Sequence, residues 1–251
     1  MKKLLLFSGT TEGRALLRDL RALPFEMTAC VATEYGKELQ AEDLDDAHIH
    51  AVRMDEAAME RFLLKEKFDM VVDATHPYAV DVTANIRQAC TACGVRRLRL
   101  LRAAGNEDGC LCVPDAAAAA KALCALAGNV LLTTGSKELD RYTSVPDYAA
   151  RIYPRVLPSV DSVSRCLALG YAQKNILAMQ GPFSQSLNEA LIDQFQIKIL
   201  VTKNGGAAGG FGEKVAAAAN RGCTVVLIAR PEDEGLSYAE VLRILKEEAT
   251  S

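Results

Sequence analysis

Along this chain, short apolar runs alternate with stretches in which apolar residues recur every three or four positions. The runs Lys2–Phe7, Glu26–Thr33, His48–Val52, Phe68–Ala74 and Arg97–Leu101 have the length and side-chain character of strands. Between them, Glu12–Ala22, Asp55–Lys65 and Val80–Cys93 carry their apolar residues on one helical face. Ala116–Leu126 predicts a helix made mostly of alanine, stopped by Gly128-Asn129. A second set follows: strands at Val130–Thr134, Arg151–Val156, Ile176–Met179, Ile197–Thr202 and Thr224–Ala229. Helices are expected at Ser162–Leu169, Ser184–Phe195, Glu213–Asn220 and Tyr238–Glu248.

This alternation predicts an α/β protein, with parallel sheets covered by helices on both faces. The number of strands suits two Rossmann-like domains with mostly parallel sheets and a cleft between them. The alanine-rich helix and Gly128 place the boundary so that one domain spans 1–127 and the other 128–251. Ligands of such folds sit at the carboxyl ends of the strands.

Composition changes this picture only by exclusion. Lysine and arginine number 29 against 32 acidic residues, and no basic stripe stands out, which argues against nucleic acid as a partner. The opening apolar run stops at Phe7, short of the ~7–15 residues of a secretory core, and no run reaches the ~18 of a membrane span. A cytoplasmic protein without a membrane partner is expected. The eight cysteines are expected to be small residues buried in a reducing compartment. Cys90 and Cys93 have the spacing of a redox or zinc pair, but no second pair or fitting histidines accompany them, so no metal site is expected.

The turns after the strands carry the chemistry. Ser8-Gly9-Thr10-Thr11-Glu12-Gly13-Arg14 puts two glycines at a helix start, where free N–H groups and the helix dipole suit a phosphate. A tight strand–helix turn is the bland alternative. Thr33-Glu34 follows the second strand, where a dinucleotide fold meets the ribose. An acid there favours NADH over NADPH, and a solvated loop glutamate is the alternative. Asp73-Ala74-Thr75-His76-Pro77-Tyr78-Ala79 places a histidine among hydroxyls where a nicotinamide would lie, with Asp73 available to pair with it or cap a helix. In the second half, Thr133-Thr134-Gly135-Ser136-Lys137-Glu138, Gln180-Gly181-Pro182-Phe183-Ser184 and Lys203-Asn204-Gly205-Gly206 repeat the arrangement. Lys137, Lys203 and Arg155 would give that mouth a positive charge suited to a ligand with several carboxylates.

Taken in order, residues 8–14, 73–79, 133–139, 180–184 and 202–206 closely resemble the precorrin-6A reductase family of cobalamin (vitamin B12) biosynthesis, over nearly the whole chain. The most specific element is Asp-Ala-Thr-His-Pro-Tyr-Ala. The resemblance implies hydride transfer from NADPH or NADH to a ring double bond of precorrin-6A or its cobalt complex, giving the 6B form. It further implies that Gly9, Thr10, Thr11, Glu12, Gly13 and Arg14 hold the pyrophosphate, with Thr33 and Glu34 near the ribose. Thr75, His76 and Pro77 would line the nicotinamide. Ser136, Lys137, Gly181, Phe183, Ser184, Lys203 and Asn204 would face the tetrapyrrole, and Tyr78, Arg155, Gln180 and Gly205, in or beside the same turns, are further candidate substrate contacts. His76, Lys137 and Asp73 are the candidate acids. Glu34 stands where some relatives carry a basic residue, and the Asn204-Gly205 loop is a residue shorter than in many. Transient contact with neighbouring pathway enzymes fits such a role. Two other readings stay open: a non-catalytic tetrapyrrole or nicotinamide-binding protein, and another reductase or epimerase on this scaffold.

Overall fold

The structure is a computed structural model that describes residues 1–32, 34–41, 48–101, 105–206 and 209–250. The chain divides into two compact units, Met1–Ala103 with Pro231–Ser251, and Ala104–Arg230.

The first unit holds β1 (Lys2–Ser8), α1 (Thr11–Leu20), β2 (Phe25–Val31), α2 (Glu34–Gln40), β3 (Ile49–Ala51), α3 (Glu56–Glu66), β4 (Met70–Ala74), α4 (Val80–Cys93) and β5 (Arg96–Arg99). Its sheet runs β3-β2-β1-β4-β5, and every pairing is parallel. Side chains alternate across a strand, so Leu4 and Leu6 of β1 enter one core while Leu5 and Phe7 enter the other. The first core contains Leu16, Leu17 and Leu20 of α1 and the second Met59, Leu63 and Ile86 of α3 and α4, so helices cover both faces. Asp55 starts α3 by accepting the Ala58 amide at 2.8 Å, as an N-cap aspartate should.

The second unit contains β6 (Leu111–Val113), α5 (Ala116–Cys124), β7 (Asn129–Leu132), a 3-10 helix (Leu139–Ser144), α6 (Tyr148–Arg151), β8 (Ile152–Val156), α7 (Val160–Ala168), β9 (Leu177–Ala178), α8 (Gln185–Gln194), β10 (Ile197–Lys203), α9 (Phe211–Asn220) and β11 (Thr224–Ile228). The sheet order is β6-β11-β10-β7-β8-β9, again parallel throughout. Ile192 of α8 and Ala217 and Ala218 of α9 pack on Leu131, Leu200 and Val225.

The expected α/β class with two parallel-sheet domains is what the chain adopts. The boundary is not at 127/128. The stretch 111–124 belongs with the second unit, because β6 pairs with β11 from Val226↔Leu111 to Ile228↔Val113. The last helix, α10 (Tyr238–Thr250), returns to the first unit, where Val241 and Leu245 are wholly buried against Leu4, Leu16 and Leu98. Leu236 bridges Leu100 on the way, and a side chain at Gly235 would meet the Arg99 carbonyl at 2.7 Å. The turn after β2 also proves helical, with Glu34 in the first turn of α2.

Among the cysteines, Cys30, Cys90 and Cys166 are buried, whereas Cys112 and Cys124 are exposed, against expectation: Cys112 lies on the edge strand β6, and Cys124 lies off the α5 face that buries Ala116, Ala119, Ala120 and Leu123. Burial raises the Cys90 thiol to about 11 and also raises Cys93, the reverse of an activated redox pair.

Candidate active site

In the first unit, β1 lies between β2 and β4, so the chain winds outward in opposite directions on either side of the β1–β4 pair. That switch point opens a crevice at the carboxyl ends of these strands. Ser8, Gly9 and Thr10 follow β1, and Thr75 to Tyr78 follow β4. Thr10 joins the two: its hydroxyl donates to the Ala74 carbonyl at 3.0 Å and accepts the Gly13 amide at 3.1 Å, capping α1.

The two glycines differ in purpose. Gly9 is exposed, and a Cβ there would meet nothing within 4 Å, which leaves backbone open to a ligand. A Cβ at Gly13 would stand 2.5 Å from Ser8 Oγ and 3.3 Å from Ala74 Cβ, so this glycine lets α1 pack directly on β1 and β4. The buried Ser8 Oγ has no hydrogen-bond partner among the described residues. Thr11 is exposed and Glu12 and Arg14 are half-buried on the same first turn. These features suit a dinucleotide pyrophosphate at the α1 N-terminus. Glu34 is exposed at the start of α2, and Thr33 lies outside the described residues.

His76 is half-buried, and its Nδ1 accepts the Tyr78 amide at 3.3 Å. A neutral imidazole that accepts at Nδ1 carries its proton on Nε2. The Tyr78 ring lies 5.7 Å from the imidazole, and buried Pro77 fixes the backbone between them.

Asp73 departs from the expectation of an acid facing the ligand. Its side chain is fully buried, with Oδ1 accepting Thr75 Oγ1 at 2.7 Å and Arg99 Nη1 at 2.9 Å, and Oδ2 accepting Arg97 Nη1 at 3.1 Å. The carboxylate is a clamp on the Thr75 turn. Thr75 is committed too, since its hydroxyl also meets Thr83 at 2.9 Å and its carbonyl accepts Arg99 at 3.0 Å. Arg99 continues the network to Asp233 at 2.9 Å. Arginines at 97 and 99 on one face of a strand were the available sequence signal, because buried guanidinium groups require carboxylates.

In the second unit the reversal lies between β7 and β10. The ion pair of Lys203 with Glu138 ties their two turns together. Gly135 sits at φ 80°, where a Cβ would meet nothing within 4 Å, and Lys137 is exposed. Ser136 lies 3.2 Å from the Ser162 hydroxyl. Asn204, expected to face the tetrapyrrole, is wholly buried, exchanges hydrogen bonds with Gly105 at 3.0 Å in both directions, and donates to Glu107 at 2.7 Å. Its neighbour Gly205 is buried as well. Ser184 caps α8 by accepting the Leu187 amide at 3.2 Å, while Gln180 and Gly181 are exposed. Arg155 is buried under Phe183, its guanidinium carbon 4.3 Å from the ring centroid. Asn188 and Lys214, beside these residues, were not singled out from sequence. Among the described residues no cluster could hold a metal ion, and no helix is long and apolar enough to cross a membrane.

Comparison with known proteins gives this arrangement a family. Cobalt-precorrin-6A reductase from Priestia megaterium is 33% identical over 236 residues, covering 92% of this chain and 91% of that protein. The Salmonella typhimurium protein of the same name is 34% identical, over 90% of this chain and 87% of its own. Among solved structures, CobK precorrin-6A reductase aligns with a TM-score of 0.76 at 27% identity, covering 98% of this chain and 97% of that one. The family model described as precorrin-6x reductase CbiJ/CobK matches residues 3–246, and the chain belongs to that family.

Proposed function

We propose that this chain reduces a ring double bond of precorrin-6A, or of its cobalt complex, to the 6B form in cobalamin biosynthesis, with a nicotinamide nucleotide bound in the first unit and the macrocycle in the second. The observation that carries the cofactor's position is the β1–β4 switch point, where Thr10 ties the start of α1 to β4 and Gly9 leaves the backbone open. Membership of the reductase family supports the reaction class. The two curated relatives favour the cobalt complex as substrate.

The reduced nicotinamide supplies the hydride when bound. The chain's own residues have the tasks of holding, aligning and protonating. The backbone of Gly9 and the N-terminal end of α1 hold the pyrophosphate, and the exposed Thr11 side chain stands beside them. Asp73 and Arg99 fix the Thr75–Tyr78 turn, so that His76 is aligned before any ligand arrives. His76 Nε2–H is the group suited to donate a hydrogen bond, or a proton, to the conjugated nitrogen that gains charge as the ring carbon accepts hydride. Lys137, exposed after β7, is the second candidate.

Glu34 supports NADH. One feature favours NADPH: a cavity of about 550 Å³ at the carboxyl end of β3 is lined by Lys37, Arg61 and Lys65 beside Phe62 and Val52. The deciding experiment is an anaerobic assay with both macrocycles and both reduced cofactors. Loss of nicotinamide absorbance, with a hydride and a proton gained by the macrocycle in mass, is the expected result, and the faster cofactor settles the choice. Tight macrocycle binding by folded protein without turnover under all four conditions overturns the reductase reading in favour of a carrier.

A further inference from the structure

Arg155, on β8, is about 7% exposed, and its position is unusual for a buried cation. Buried guanidinium groups normally meet a carboxylate. Among the described residues, Arg155 has one hydrogen bond, from Nη1 to Asn188 Oδ1 at 2.8 Å, and the face of Phe183. Neither brings a negative charge. Asn188 is itself wholly buried and fixed by donating to the Ser184 carbonyl at 2.8 Å, so the partner that orients Arg155 is rigid.

A second cation stands close by. Phe183 is within 3.8 Å of a Cβ position at Gly210, the residue that precedes α9. Lys214 lies one turn further, with its amide on the Gly210 carbonyl at 3.3 Å. Its ammonium has no hydrogen bond or ion pair with any described residue. Burial and the charge of Arg155 push that ammonium down to about 8, and Glu213 opposes this from its own helix. Burial also lowers Arg155, to about 10. The other charged groups around α9 are already engaged: Glu189 and Asp193 of α8 with Arg221, and Lys203 of β10 with Glu138. Two cations therefore stand near the carboxyl end of β8, neither in an ion pair with a described residue and with Glu213 the one acid acting on Lys214, next to the exposed turn of Gln180 and Gly181.

We propose that Arg155 and Lys214 form a carboxylate-binding subsite of the second unit, with Arg155 held in place by Asn188 and Phe183, which receives one acidic arm of the macrocycle and makes Lys214 a determinant of substrate affinity. This rests on the reading of the second unit as the macrocycle's site. A guanidinium stacked on a ring keeps its in-plane N–H groups free for two parallel bonds to a carboxylate, and an ammonium beside it adds a point charge.

The test measures cobalt-precorrin-6A binding by absorbance titration without nucleotide, at pH 7 and pH 9, for the parent protein, Lys214→Met and Lys214→Arg. Removing one charge-assisted hydrogen bond should weaken affinity about tenfold or more in Lys214→Met, and Lys214→Arg should recover it. The parent should weaken from pH 7 to pH 9, as an ammonium near 8 loses its proton, while Lys214→Met should show no such step. KM for the nucleotide and the far-ultraviolet spectrum should be unchanged. If the parent binds and Lys214→Met binds equally well with the same pH profile, the subsite is overturned and the functional reading stands. If the folded parent does not bind the macrocycle, the functional reading fails and takes the subsite with it.

Discussion

Replacing Asp73 with asparagine separates two accounts of the most distinctive segment in the chain. The change keeps the shape and an acceptor oxygen for Thr75 and Arg99. It also turns an NH₂ group towards Arg97 Nη1, now a donor facing a donor across 3.1 Å, and removes a carboxylate that reaches both arginines. Arg97 can turn partly to solvent, since its side chain is 19% exposed, whereas Arg99 is 2% exposed and already has a buried Nη2 without a partner. Losing one charge-assisted bond and part of the counter-charge of a buried guanidinium should cost about 2–4 kcal/mol, towards the lower side of what deleting a buried ion partner outright costs. At a urea dependence of ~2 kcal/mol per molar, the midpoint of unfolding should fall by about 1–2 M. The assay is urea unfolding followed by circular dichroism, with kcat and KM measured on protein held well below the transition. Folded Asp73→Asn should keep kcat within roughly tenfold, because the carboxylate is wholly buried among Thr75, Arg97 and Arg99 and acts through the Thr75 turn. An unchanged midpoint with kcat lowered by about a hundredfold or more would show that Asp73 takes part in the chemistry and that the clamp argument is wrong.

Gly13→Val should raise the nucleotide KM on the order of tenfold and cost about 1–3 kcal/mol, because α1 must move off Ser8 and Ala74; nucleotide titration and thermal melting read both effects. His76→Gln keeps a donor near the Nε2 position and should hold substrate KM while lowering kcat, and His76→Phe should lower kcat further; equal kcat in all three proteins removes His76 from the reaction. Asn204→Ala should cost about 1–3 kcal/mol by leaving the Gly105 amide and carbonyl unpaired, with limited proteolysis near residues 105–107 as the local readout. Stability should rise as pH increases from about 8 to 10.5. Lys214 has its folded value at the lower figure and its ordinary value at the upper, so the unfolded chain binds more protons between them. Chemical denaturation across that window should show the rise in the parent and lose it in Lys214→Met.

The fold was legible wherever a local pattern decides it. The alternation of Leu4, Leu5, Leu6 and Phe7 between two cores makes β1 readable as a doubly covered strand. The turns were readable because glycine, proline and N-cap residues act over three or four positions. What stayed hidden depends on distant partners. Nothing near Leu111–Val113 indicates that its neighbour in the sheet is β11, more than a hundred residues on. The amphipathic face of α10 was visible, but not which sheet it covers. The same limit governs the site: Asp73, Thr75 and Asn204 have the chemistry of ligand contacts, and only the positions of Arg97, Arg99 and Gly105 turn them into braces. Lys214 escaped notice because a lysine on a helix is ordinarily a solvated charge.

The return of α10 to the first unit bears on how the protein is made. Val241 and Leu245 complete the core around Leu4 and Leu16, and Glu248 closes on Lys2 at 2.8 Å. A ribosome delivers the strands of that sheet within the first hundred residues, yet one of its covering helices, α10, emerges only after the whole second unit. The second unit is one continuous stretch and needs nothing that follows residue 230. Synthesis and maturation therefore run in different orders: the later-encoded unit can finish on the ribosome while the earlier one waits with a face that α1 covers only in part. A nascent chain arrested before Tyr238 would expose that apolar surface to chaperones.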